Sequence, residues 1–449
     1  MKRFLSPLSS AALAGCISLS LAVTLTGCKP ASVAPESKST ESESAADASP
    51  AAPPLQQDDE AVAALEANEN IELKKDESGN VVEISVNGGE GVADAMANFA
   101  GLPFVTKANF SGPEMTDDGM QHLPELAQLQ RLDFAGSAIT NATLEHVGKV
   151  DGLIALSLRR TGVTDEGLAA LEELSKLRAI DLRNSNITDA GMDSLAKITT
   201  LADVQLEYSK VTDAGVEKLA DLPLKSFNGN YQTTLSDKTL KVLGNIETLE
   251  SIQLDQTEIS DEGMQAIKDL PRLKRLRIRG TDITGEGLKA IEGKSTLERF
   301  ELRESSLDDD GLAIICGLPN VKHLDISECR LVSTEGLKQI GKLKSLTYLG
   351  LWETDTDDEV IASFGDLTNL EDELNLMSTD ISGEAVDTLV KMTKLKKLNV
   401  NGTRLGDEEI LKLAALPNLQ VLSVANTDVS YDALDEMEEK YPDLTVLDY

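Results

Sequence analysis

The chain has 449 residues, a formal net charge of −35, and 3% aromatic against 41% hydrophobic residues. That charge argues against a nucleic-acid partner or docking on an anionic membrane surface, because the long-range field repels phosphate. With so few aromatics, Leu, Ile and Val must build the interior, which suits thin stacked layers better than one thick core.

Residues 1–27 read as a secretory signal: Lys2 and Arg3 precede an uncharged, apolar stretch with many small residues. It ends in Leu25-Thr26-Gly27-Cys28, which resembles the bacterial lipobox. The resemblance implies a lipid on Cys28, a membrane anchor, and a place in the bacterial cell envelope facing the periplasm or the cell surface. Leu13-Ala14-Gly15-Cys16 fits the same pattern after a shorter apolar segment. An uncleaved anchor is the competing reading, since the apolar run is long enough to span a bilayer. Residues 28–58, rich in Ser, Pro, Ala and Glu, lack apolar periodicity and are expected to form a disordered tether, with an r.m.s. span of roughly 30 Å.

Residues 59–104 read as an N-terminal cap. A short helix is expected at 60–65, a hairpin from 71–74 and 81–86, and a second helix at 93–100. A stacked array needs its first layer covered.

From residue 105 to the end the sequence repeats. Its template is L-x-x-L-x-L-x-x-[TS]-x-[IV]-[TS]-D-x-G-L-x-x-L-x-x-L, with copies starting at Val105, Leu129, Leu153, Leu177, Leu201, Leu224, Leu249, Leu273, Leu297, Val321, Leu346, Leu370, Leu395, Leu419 and Leu444. Every step is 23, 24 or 25 residues. A fixed period of this size means a solenoid. Within each copy the alternation Leu276-x-Ile278 marks a short strand. A helix is then expected to open at [TS]-D, with Thr164, Thr188 and Thr212 as N-caps and Asp165, Asp189 and Asp213 placing charge against the helix dipole. Pro223, Pro271, Pro319 and Pro417 fall where those helices must stop.

Two copies depart from the template. Gly229 stands where a large apolar residue belongs, among Asn228, Asn230 and Tyr231, and reads better as a tolerated irregularity than as a functional notch. One extra residue precedes Leu374, which could alter local register or curvature. Cys316 and Cys329 could pair in an oxidising envelope but read better as two buried free thiols.

The repeat resembles the leucine-rich repeat, in the bacterial form of the subclass whose other members carry Cys at the Thr/Ser position that Cys329 occupies here. The resemblance covers about 15 copies. It implies an α/β solenoid, curved, with parallel strands on the concave face and helices on the convex face.

Catalytic and cofactor-binding motifs are absent: His122, His146 and His323 lie in different copies, and no G-x-S-x-G, H-E-x-x-H or C-x-x-C occurs. Gly293-Lys294-Ser295 lacks the upstream glycine of a phosphate loop. Asp308-Asp309-Asp310-Gly311 lacks the alternating spacing of a calcium loop and reads as a helix start. An acidic ladder at Asp165, Asp189 and Asp213 could attract cations, though helix capping explains it better.

What remains is the face built from the x positions. Successive copies place Arg275, Arg277 and Arg279 there, then Arg299, Glu301 and Arg303, then His323 and Asp325, then Tyr348 and Trp352, the only tryptophan. Stacking in register would align Arg275, Arg299, His323 and Tyr348 in one row, and Arg279 with Arg303 in another. Like charges so close oppose one another. They call for either compensating carboxylates, with Asp255 and Glu301 at hand, or a recognition patch for carboxylate or phosphate groups with aromatic anchors. A smaller pair, Arg159 and Arg183, is surrounded by Asp133, Asp181 and Glu207.

The function expected is therefore non-enzymatic: an envelope-anchored protein that binds a protein partner or an envelope polymer on its concave face. The alternative is a structural envelope protein without a specific ligand, associating through the strand at 444–449. A substrate-selecting adaptor, as in ubiquitin-ligase relatives of the repeat, is a third reading, disfavoured by the secretion signal. No cofactor or metal is expected.

Overall fold

The computed structural model describes residues 55–448. The signal, Cys28 and nearly all of the tether lie outside that range. One cap helix, Asp59–Glu66, starts at Asp58, whose carboxylate accepts the Glu60 and Ala61 amides. The hairpin strands Ile71–Lys75 and Val81–Asn87 pair antiparallel. Asp76 shapes their turn by accepting the Ser78 and Asn80 amides. A helical turn at Val92–Ala95 and a 3-10 segment at Met96–Gly101 follow. Phe99, Phe110 and Phe134 then carry the core into the repeats, with ring centroids 6.3 and 5.3 Å apart.

Every later strand joins its predecessor in parallel, from Lys107–Ser111 to Thr445–Leu447, making one seventeen-stranded sheet. Helical segments return the chain between strands. The template leucines meet in one continuous interior, with Leu153, Leu156, Leu158, Leu168 and Leu171 of a single copy all but solvent-free. At the template Thr/Ser position, Thr161, Thr257, Thr281, Thr354, Thr379 and Thr403 donate their hydroxyls to the carbonyl three residues back, which satisfies a buried polar group inside its own copy.

The template Asp does more than face a helix dipole. Thr188 donates its amide to Asp165 Oδ1 (2.8 Å) and its hydroxyl to Oδ2 (2.6 Å), while that hydroxyl also accepts Ala190 N at its own helix start. The arrangement recurs at Thr212 on Asp189, Ser236 on Asp213, Ser260 on Asp237 and Thr284 on Asp261. Where the template Asp is present, it thus ties one helix to the next. Asp213 shows the electrostatic consequence. Burial pushes its carboxyl up, but the bonds from Ser236 and Thr239 outweigh that and hold it below its ordinary value.

The glycine two residues on belongs to the same device: a Cβ at Gly191 would lie 2.6 Å from Asp165 Oδ1, and one at Gly215 would overlap Asp189 Oδ1. Where that glycine is Thr143 or Thr239, the hydroxyl donates to the neighbouring Asp117 or Asp213 instead.

One expectation is corrected and two open readings are resolved. Thr164 does not cap its helix. Asn141 replaces the preceding aspartate and donates Nδ2 to the Thr164 hydroxyl, which turns its proton to Glu166. Gly229 is no notch: the Phe227 and Leu235 side chains occupy the space a Cβ would need, and Asn228 and Asn230 are buried. The extra residue before Leu374 leaves the register intact, since Leu374 still pairs with Leu349 and Leu398. Its effect stops before the strand because the neighbouring layers hold both leucines fully buried.

The other candidate motifs are absorbed as repeat positions. Lys294 donates Nζ to the Leu270 carbonyl, Asp308 accepts Gly311 N at its helix start, and Asp309 holds Ser333. Cys316 and Cys329 are buried free thiols, with Cys329 Sγ donating to the Leu302 carbonyl at 3.2 Å.

Candidate ligand-binding surface

In a strand of period two, the side chains that do not enter the core stand on the open face. Register decides which of them become neighbours. Arg275 lies beside Arg299, Arg299 beside His323, and His323 beside Tyr348, as the spacing predicts. In the next row Arg277 lies beside Glu301 and Glu301 beside Asp325.

The carboxylates are placed beneath the arginines. Asp255 is fully buried, an arrangement that costs several kcal/mol unless paired. Its partners are the Arg279 amide (3.0 Å), Arg279 Nε (2.7 Å) and Arg277 Nε (2.6 Å). Glu301, also buried, accepts Arg299 Nε at 2.6 Å and lies 3.6 Å from Arg277 Nε. Burial alone would raise its carboxyl, but Arg299 and Arg277 hold it below the usual range. Arg303 meets Glu328 and lays its guanidinium 4.1 Å from the Trp352 ring centroid.

These bonds run through Nε. Among the described residues the Nη groups of Arg277, Arg279 and Arg299 donate to nothing, so the carboxylates fix the guanidinium planes without consuming their outer donors. Arg275 makes no ion pair among the described residues.

The aromatic end is equally ordered. His323 stacks on Tyr348 with centroids 3.8 Å apart and planes 10° off parallel. Burial, and then Arg299 and Arg275, lower the imidazole pKa to about 3, so it is neutral. Trp352 is half-buried, and its indole N–H has no partner among the described residues. In the smaller pair, Arg183 is held bidentately by Asp181 through Nε (2.9 Å) and Nη2 (2.7 Å), which engages one of its outer nitrogens as well.

The row after the strands was not singled out from the sequence. Residues at this position hold φ near +55°, including Arg160, Asn184, Tyr208, Tyr231, Gln256, Glu304, Glu328, Glu353, Ser378 and Asn426. From Arg160 to Ser378 each strained amide is tied to the following copy, for example Tyr208 N to the Asn230 carbonyl and Tyr231 N to the Asp255 carbonyl. One result is an exposed stack of Tyr208 on Tyr231, centroids 4.6 Å apart. The 23-residue spacing of these tyrosines was the signal that could have revealed it. No cluster of potential metal ligands occurs among the described residues.

Four stretches, 173–196, 245–268, 271–291 and 317–341, match the leucine-rich repeat family. Among solved structures, an internalin from Listeria monocytogenes is 18% identical, covering 88% of this chain and 96% of its own, at a TM-score of 0.40. A leucine-rich-repeat protein from Leptospira interrogans is 17% identical, over 81% and 89%, at 0.47. The ectodomain of the Arabidopsis receptor kinase HAESA, in complex with a peptide hormone ligand, is 16% identical, over 80% and 64%, at 0.47. No curated protein matches the sequence. With its unbroken parallel register and recurring repeat, the chain is an α/β leucine-rich-repeat solenoid.

Proposed function

We propose that this protein is a non-enzymatic binding module of the bacterial envelope. Its concave face, from Arg275 to Trp352, holds a protein or peptide partner or an envelope polymer, and a lipid on Cys28 anchors it. The Cys329 position fits the bacterial form of the cysteine-containing repeat subclass.

The observation that carries the reading is the state of the arginines. A purely structural face needs only charge compensation, and the pairs to Asp255, Glu301 and Glu328 would serve it. Those pairs nevertheless leave the outer donors of three guanidiniums free, on a face that also holds the half-buried Trp352. Orientation fixed in advance reduces the ordering cost of binding. Against an enzyme, burial raises the Cys316 thiol to about 12 and the Cys329 thiol to about 11, and the imidazole of the patch, lowered to about 3 and held within a stack, is a weak base.

Capture from envelope extract tests the face. Arg277→Glu/Arg303→Glu/Trp352→Ala is expected to lose partners that the wild type retains; identical capture by both would refute the patch. For the anchor, Cys28→Ser is expected to shift the protein from the membrane to the soluble fraction on cell fractionation, and persistent membrane association would refute lipidation at Cys28.

A further inference from the structure

We propose that Arg275 and Arg299 together form a binding site for a single oxyanion, a carboxylate or a phosphate monoester, within the concave face. This rests on reading that face as a binding surface and names the chemistry its central row selects. The two arginines are direct register partners on paired strands, where like charges repel. Elsewhere on the face such repulsion is relieved. Asp255 serves both Arg277 and Arg279, and Arg183 beside Arg159 is clasped bidentately by Asp181. Arg275 has no such relief. The carboxylate nearest in register, Glu301, is already engaged by Arg299 and Arg277.

The flanks fit an anion as well. On one side Arg275 pairs in register with Ser251, whose hydroxyl has no hydrogen-bond partner among the described residues. On the other, Arg299 adjoins the neutral His323, which is fixed against Tyr348 and adds neither a competing charge nor a mobile side chain. Arg299 spends only Nε on Glu301, so its Nη groups remain available beside an Arg275 that makes no ion pair among the described residues. A bound oxyanion would accept from both forks and remove the repulsion. The acidic remainder of the protein, with its net charge of −35, disfavours a polyanion and so selects an isolated anionic group.

Isothermal titration of the folded protein with inorganic phosphate, and separately with acetate, at ionic strength matched with sodium chloride, tests the site. One saturable anion per chain is expected, bound about tenfold more weakly by Arg275→Gln and by Arg299→Gln. Arg159→Gln, an arginine beside the clasped Arg183, should bind as the wild type does. Tighter phosphate binding would assign the site to phosphomonoesters, and tighter acetate binding to carboxylates. At equal anion concentration Tm should also rise more in the wild type than in Arg275→Gln, a readout that separates occupancy from misfolding. Absence of saturable heat with both anions, or unchanged binding in Arg275→Gln, would overturn the proposal. Should that occur while the triple variant still loses its partners, the concave-face reading stands and the oxyanion site alone is lost.

Discussion

At the scale of single residues, this fold asks for backbone conformations that most side chains resist. Among the described residues, ten non-glycine residues hold positive φ just after their strands, at a cost of about 1–2 kcal/mol each for an L-residue. The repeat retains the conformation because the amide there bonds to the next copy. Ser378, at φ 53° and exposed, is a suitable probe. Ser378→Gly should stabilise the protein by about 0.5–1 kcal/mol after the extra chain entropy of glycine is subtracted, read as a higher urea midpoint at unchanged slope. A lower midpoint would mean that the position is unstrained. Residue types at this position range from Arg and Tyr to Glu and Ser, so no template letter reveals it. The backbone angle became visible only in three dimensions.

At the scale of elements, the hydrogen bonds between neighbouring copies explain a template that capping alone did not. Asp189 grips Thr212 through amide and hydroxyl, and Gly215 leaves room for that grip. Gly215→Val should therefore destabilise by about 1–3 kcal/mol through displacing a bonded carboxylate. Gly215→Thr should cost clearly less, because Thr143 and Thr239 show a hydroxyl bonding the aspartate from the same place. Thermal melts of the two variants compare them directly, and equal losses would refute the explanation. The strand–helix alternation was legible from the Leu spacing and the [TS]-D signal. The reach of each aspartate into the next copy was not, because it joins residues 23 apart whose contact depends on how the layers stack.

At the scale of the molecule, charge and burial set the response to acid. His323 has its folded pKa lowered from 6.5 to about 3 by burial and by Arg299 and Arg275. As pH falls below 6.5 the unfolded chain takes up the proton first, so this contribution to stability is full above 6.5 and is lost progressively towards pH 3. Asp117 and Asp213 are lowered as well: burial opposes them, but their hydrogen bonds prevail. Their contribution is present above the ordinary value of 3.8 and disappears only as pH falls through the lowered folded values. Chemical denaturation at a series of pH values should show stability declining from near neutrality, and His323→Gln should flatten the part between 6.5 and 3. An unchanged slope in that variant would show that His323 titrates normally in the folded protein.

The sequence by itself determined the solenoid, the phase of every copy and which residues share a row, because a strict period leaves one way to stack the leucines. From this it also followed that Arg275, Arg299, His323 and Tyr348 would be neighbours. Only the tertiary structure decided how those neighbours interact. Whether an arginine is consumed or merely oriented depends on which nitrogen meets the carboxylate and how deeply that carboxylate is buried. Asp255 lies wholly inside, Glu301 nearly so, and Arg275 stands without either. Periodicity specifies rows; burial and bond geometry, which no spacing encodes, separate a neutralised surface from one still able to bind.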